Sequence, residues 1–250
     1  MTNPFKQALA ARRRLPGFWL SLCSPTVVEI AAHSGADWLL VDMEHAPADL
    51  SQIAGQLRAA RGGLAEVVVR PPQSEPVITK RLLDIGARNL MFPMIQDAQD
   101  AADAVAWTRY PPHGVRGISA TVRANNYGRQ GDYLQRYADE LTVIVQVETP
   151  EAVANIAQIA AVPGVDAIFI GPGDLAASMG FAGQGNAPEV RAKIAEAVAA
   201  IHAAGLPAGI LGYGHDLAQG YFDQGVEFVA VAGDAWLLAR QMDGMIAALR

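Results

Sequence analysis

Eight times along this chain a short apolar run ending in a polar residue is followed by a helix-period segment. Strands are predicted near 18–22, 38–43, 66–70, 89–95, 143–148, 167–171, 207–211 and 227–231. Helices are predicted near 25–33, 50–61, 75–86, 98–108, 151–161, 188–204, 216–223 and 235–248. The strand-like runs, such as WLLVDM, EVVVR and TVIVQVE, are apolar at consecutive positions rather than alternate ones, as in parallel strands covered on both faces. Gly35, Gly62, Gly86, Gly164, Gly205 and Gly225 close the segments before the next strand, where helix C-caps need them. Eight such units in 250 residues predict a (β/α)8 TIM barrel, with 1–250 as a single domain. The competing open, doubly wound sheet usually carries a glycine-rich turn after its first strand, and the SLCSPT stretch at 21–26 is not one. A short leading helix and a turn at Pro16-Gly17 are expected before the first strand.

Composition narrows the function. With 51% hydrophobic and 18% charged residues the chain can build a large core. A net charge of −6 leaves no overall basic field for nucleic acid or an anionic membrane, so neither partner is expected. Apolar runs stop well short of the ~18 residues a membrane span needs. The apolar stretch at 15–23 contains Pro16 and Gly17 and no small-x-small pattern follows, so it does not read as a targeting segment. Cys23 is the sole cysteine, which excludes an internal disulfide and a thiolate zinc site and fits a cytoplasmic location.

In a barrel of this type, chemistry sits at the C-terminal ends of the strands. Those positions hold Trp19, Asp42, Glu44, His45, Arg70, Pro93, Gln146, Glu148, the Gly171–Asp174 turn, Leu211, Gly233 and Asp234. None of the three lysines, Lys6, Lys80 and Lys193, lies there, so imine chemistry and a PLP site are not expected. No GxSxG elbow supports a serine nucleophile. Glu148 and Asp174 end neighbouring strands, and two oxygen donors without a Cys or His cluster suit a hard divalent ion such as Mg²⁺, Mn²⁺ or Co²⁺. Taken singly, each has a blander reading, Glu148 as a cap of the next helix and Asp174 as an N-cap. Arg70, at the end of a buried strand, needs an anion: a substrate oxygen, or an inward acid such as Asp42. His45 is either a base oriented by a carboxylate or a loop histidine without a role. Asp84, near a helix end, reads as a surface acid or a partner of Arg81 or Arg88. The glycines of the last two loops, Gly212, Gly214 and Gly233, give only a weak phosphate-site signal.

Several motifs occur together and in order: Asp42-x-Glu44-His45, Val69-Arg70-Pro71, Leu83-Asp84-x-Gly86-Ala87, Tyr110-Pro-Pro-x-Gly114-x-Arg116-Gly117, Gln146-x-Glu148 and Ile170-Gly-Pro-x-Asp174-Leu175. Over essentially its whole length the chain resembles the HpcH/HpaI family of metal-dependent, class II pyruvate aldolases. The resemblance implies reversible cleavage of 4-hydroxy-2-oxo acids to pyruvate and an aldehyde. It implies that Glu148 and Asp174 bind the divalent ion with Gln146 beside it, and that the Gly173 and Asp174 amides hold the substrate carboxylate. Arg70 would stabilise the enolate oxygen, and His45, paired with Asp84 of a neighbouring subunit, would activate a water. Trp19 and Leu211 would line the aldehyde side, with Asp42 and Arg123 counted among the substrate-binding residues. Arg116 or Arg123, if either serves a site, serves a neighbour's. The family also implies a homo-oligomer, a hexamer built as a trimer of dimers. The last helix carries apolar residues over a wide arc (Trp236, Leu237, Leu238, Met242, Met245, Ile246, Leu249), which suggests that it is exchanged between subunits. The alternatives are an acyl-CoA-ester lyase of the same superfamily, against which the acidic chain argues, and a non-catalytic metabolite-binding barrel.

Overall fold

The computed structural model describes residues 3–250; residues 1 and 2 of the expected domain lie outside it. Eight parallel strands, β1 (Leu15–Leu20), β2 (Trp38–Asp42), β3 (Glu66–Arg70), β4 (Asn89–Phe92), β5 (Thr142–Val147), β6 (Ala167–Ile170), β7 (Ala208–Leu211) and β8 (Phe228–Gly233), close into a barrel in sequence order. A leading helix, α1 (Pro4–Ala10), precedes them. Around the outside run α2 (Pro25–Ala32), α3 (Leu50–Ala59), α4 (Pro76–Asp84), α5 (Ala98–Thr108), α6 (Tyr133–Glu140), α7 (Pro150–Ala154), α8 (Ile156–Ala160), α9 (Pro172–Ser178), α10 (Pro188–Ala203), α11 (His215–Asp223) and α12 (Asp234–Ala247).

Strand alternation divides the apolar residues between two cores. One set faces outward under the helices. The other fills the barrel, where Leu15, Trp38, Leu40, Val68, Met91, Ile144, Phe169 and Phe228 pack together. The lower mouth is closed by α1, whose Phe5 lies 6.0 Å from the Trp38 ring and 6.1 Å from Phe228. Below it the Asn3 amide donates to Asn89 Oδ1 at 2.7 Å and to Thr142 Oγ1 at 3.0 Å, satisfying polar groups at the strand starts. Among the described residues, the filled interior and the base plugged by α1 leave the barrel open at its upper mouth.

Three local expectations are corrected. Pro16 and Gly17 lie within β1 rather than in a turn. The Pro16 carbonyl accepts from Asp37 N, so the missing proline N–H does not stop pairing on that side. Glycine is needed at 17 because a Cβ would run into the Trp38 indole. The helix expected over 151–161 is split at Asn155, whose side-chain amide donates to the Gln96 carbonyl. The helix expected over 75–86 ends at Asp84, and Gly86 adopts φ +93 beyond it. On α12 only Asp234 is buried; Leu238, Met242, Met245 and Ile246 lie exposed, as does Leu249 just past its end. Among the described residues no helix is long and apolar enough to cross a membrane.

Candidate active site

The parity that buries Leu40, Val68 and Ile144 inside the barrel aims the residues two positions on, Asp42, Arg70 and Gln146, at the axis near its upper mouth. Trp19 belongs to the same inner core, and Glu148 follows just beyond the end of β5. Pairing of Val147 with Ile170 sets the next residues, Glu148 and Gly171, side by side.

Arg70 is held in a closed arrangement. Its Nε and Nη2 donate to the two Asp42 oxygens at 2.9 and 2.7 Å, a bidentate pair with both residues buried. The guanidinium carbon lies 4.6 Å from the centroid of the Trp19 ring, and the Trp19 indole donates to Asp42 Oδ2 at 3.1 Å. Burial alone would raise the Asp42 carboxyl; hydrogen bonds and charge from Arg70, with help from Trp19 and the Glu44 amide, outweigh it and hold the carboxyl below its usual range. Both Asp42 oxygens are thus occupied, and the residue is only 2% exposed, so the carboxylate orients Arg70. Trp19 likewise carries Arg70 on its ring. Glu44 follows Asp42 by two residues, in the turn just past β2, and its Oε2 lies 2.7 Å from Arg70 Nη1, an ion pair without hydrogen-bond geometry.

Glu148 sits in a cradle. Its Oε1 accepts from Met94 N at 2.8 Å and its Oε2 from Gln146 Nε2 at 2.6 Å. A Cβ on Gly171 would collide with Glu148 Oε2, so glycine leaves the room the carboxylate occupies. Burial, then the charges of Asp174 and Glu44, push the Glu148 carboxyl up to about 7 against the hydrogen bonds that lower it. The helix-cap readings fail for both acids. Thr149 caps α7, Gly171 is the N-cap of α9, and Asp174 stands in that helix's first turn, exposed. The first-turn N–H groups of α9 have no intrahelical acceptor.

This donor set fits a hard divalent ion. Glu148 is a buried carboxylate whose protonation a cation would reverse, Asp174 adds a second hard oxygen, and Gln146 Oε1 is buried without a partner. No group of three or more His, Cys, Asp and Glu forms a metal cage among the described residues, so water and substrate would supply the other positions.

His45 is exposed at the rim and Leu211 half-buried at the end of β7. Asp84 is not brought to His45 within one chain: it ends α4 and pairs at 2.8 Å with Arg116, whose side chain is fully buried. Neither Arg81 nor Arg88 is its partner; Arg88 pairs with Glu66. Arg123 is also far from the upper mouth. It donates to the Ile85 and Leu57 carbonyls and lines a cavity of about 430 Å³ beside Glu66 and Arg88, where the strands begin. Two features escaped sequence reasoning. The Met94 amide carries no side-chain signal, and Tyr213, whose hydroxyl burial and the Asp234 and Asp42 charges push to about 12, packs on the inner core from an irregular loop.

The HpcH/HpaI aldolase/citrate lyase family model matches residues 15–240. The chain belongs to this family. Among its relatives, the 4-hydroxy-2-oxo-heptane-1,7-dioate aldolase of Salmonella dublin is 47% identical over 248 residues, spanning 99% of this chain and 94% of the relative. A crystal structure of an HpcH/HpaI aldolase/citrate lyase family protein from Burkholderia cenocepacia superposes with a TM-score of 0.97 at 43% identity, each chain fully covered. The HpcH/HpaI aldolase from Desulfitobacterium hafniense gives 0.90 at 30% identity, covering 100% of this chain and 97% of that one. Membership agrees with the motif resemblance and with the barrel.

Proposed function

We propose that this protein is a class II aldolase that reversibly cleaves 4-hydroxy-2-oxo acids to pyruvate and an aldehyde. The observation that carries the reading is the buried Glu148 carboxylate, cradled by Met94 N, Gln146 and Gly171 beside Asp174, facing the same mouth as an oriented Arg70. Imine chemistry has no lysine to use. Lys6 is tied to Asp166 and the Leu141 carbonyl, Lys193 pairs with Glu196 on α10, and Lys80 lies on α4.

Glu148 and Asp174 would hold Mg²⁺, Mn²⁺ or Co²⁺, which when bound supplies a Lewis acid where enolate charge develops. Cleavage of the C3–C4 bond requires loss of the proton on the C4 hydroxyl and leaves the bonding electrons on the pyruvate fragment as its enolate. The Gly173 and Asp174 amides orient the substrate carboxylate. Arg70, held in orientation by Asp42 and Trp19, turns its outer N–H groups toward the enolate oxygen. His45 at the rim moves the proton through a water. Leu211 lines the aldehyde side. The exposed apolar arc of α12 supports a homo-oligomer with exchange of that helix, and a second copy could bring its Asp84 to His45.

Pyruvate release from a 4-hydroxy-2-oxo acid tests this: activity should vanish with EDTA and return with Mn²⁺. Full turnover after exhaustive chelation would overturn it.

A further inference from the structure

Arg70 is asked to meet a negative oxygen, yet it already faces two carboxylates. Asp42 takes the Nε and Nη2 edge with good hydrogen bonds. Glu44 stands at Nη1, the terminal nitrogen that Asp42 leaves free, at 2.7 Å and out of line for a hydrogen bond. One face of the guanidinium is covered by Trp19. An incoming substrate oxygen therefore has the outward edge of Nη1 and Nη2 to use, and Glu44 stands at its Nη1 end. Counting charges, Asp42 and Arg70 cancel, and Glu44 adds −1 beside the edge that an anionic oxygen would approach.

The two acids are built differently. Asp42 is at 1% side-chain exposure, gripped on both oxygens; Glu44 is at 19% and held by charge alone. Beyond Glu44 opens a cavity of about 310 Å³ lined also by Gln73, Ser74, Met94 and Trp107, which leaves the side chain space to leave Arg70. Asp100 and Asp103 share that cavity but already accept from Gln96 N and Gln99 Nε2. Around Glu44 the charges are Arg70 and His45 on one side and Asp42 and Asp174 on the other; burial leads in raising its carboxyl.

We propose that Glu44 is a displaceable carboxylate that competes with the substrate oxygen for the Nη1 edge of Arg70, and so sets the affinity of the site for 2-oxo acids without touching the bond that breaks. The inference rests on Arg70 facing substrate as described above. The strength of an ion pair of this exposure corresponds to roughly a fivefold change in affinity.

The test is calorimetric titration of oxalate, a planar mimic of the enolate, into protein saturated with Mn²⁺. Wild type, Glu44→Gln, Glu44→Ala, Arg70→Ala and the Arg70→Ala/Glu44→Gln double variant are compared. Both Glu44 variants should bind oxalate roughly fivefold tighter, and the gain should disappear in the Arg70→Ala background. Unchanged or weaker binding in both Glu44 variants would overturn the proposal. So would a gain that persists without Arg70, since Glu44 would then act as diffuse charge. Equal binding by wild type and Arg70→Ala would instead refute the placement of Arg70 at the substrate oxygen, a separate failure.

Discussion

Replacing Gly171 by alanine probes the cradle of Glu148 with one methyl group. The backbone there has φ −88, open to any L residue, so no conformational strain enters. The added Cβ would overlap Glu148 Oε2 and lie 2.8 Å from Gln146 Nε2 and 2.9 Å from Glu148 Cβ. The carboxylate must swing away, losing at least one of its hydrogen bonds from Met94 N and Gln146. A hydrogen bond to a charged group is worth about 1.5–3 kcal/mol, and overpacking a tight site costs about 1–3 kcal/mol. Taking the hydrogen-bond loss alone as the lower bound, at ~2–4 °C per kcal/mol for a chain of this size melting should fall by at least roughly 3–12 °C. Misplacing a metal-binding carboxylate should weaken Mn²⁺ binding by about 10–100-fold, the range seen when the groups that orient a ligand are removed. Gly173→Ala is the control, because a Cβ there meets nothing within 4 Å. It should keep both the melting temperature and the Mn²⁺ affinity. Calorimetric titration of Mn²⁺ and thermal melts read both quantities. Wild-type Mn²⁺ affinity in Gly171→Ala would refute the packing of Glu148 over Gly171.

The Glu148 carboxyl, at about 7 in the fold against an ordinary 4.5, retains a proton that the unfolded chain releases. Metal-free protein should therefore lose stability as pH rises from about 4.5 through about 7, by up to roughly 3 kcal/mol at ~1.4 kcal/mol per tenfold. Urea melts at pH 5 and pH 8 with EDTA should show this, Mn²⁺ should offset it, and an unchanged pH slope in Glu148→Gln would exclude this carboxyl as the cause. Gly17→Ala drives a methyl into the Trp38 indole, whose Nε1 donates to the Leu15 carbonyl at 2.9 Å inside the barrel. It should destabilise the fold by about 1–3 kcal/mol, and a thermal melt equal to wild type would contradict the packing.

Much of the fold was legible because strand and helix periods are local properties. Residues 98–108 read as a helix and form α5, and the apolar run at 66–70 forms β3. Legibility failed where partners are distant in sequence. Pro16 and Gly17 look like a turn until Trp38 packs over them. Residues 151–161 look like one helix until Asn155 finds Gln96.

The same division runs through the site. Their places at the C-terminal ends of predicted strands put Asp42, Arg70, Gln146 and Glu148 at one mouth, because parallel barrel strands all end on the same side. Which acid Arg70 would take could not be decided that way. The structure gives it both Asp42 at the end of β2 and Glu44 in the turn beyond it. The support of Glu148 by a backbone amide at Met94, and the burial that raises its carboxyl, arise only when β4, β5 and β6 close around it. Residue types and their spacing determined which chemical groups reach the mouth. Tertiary packing decided which are clamped, which can move and how strongly each holds its proton, since burial and distance between remote segments are set only by the closed barrel.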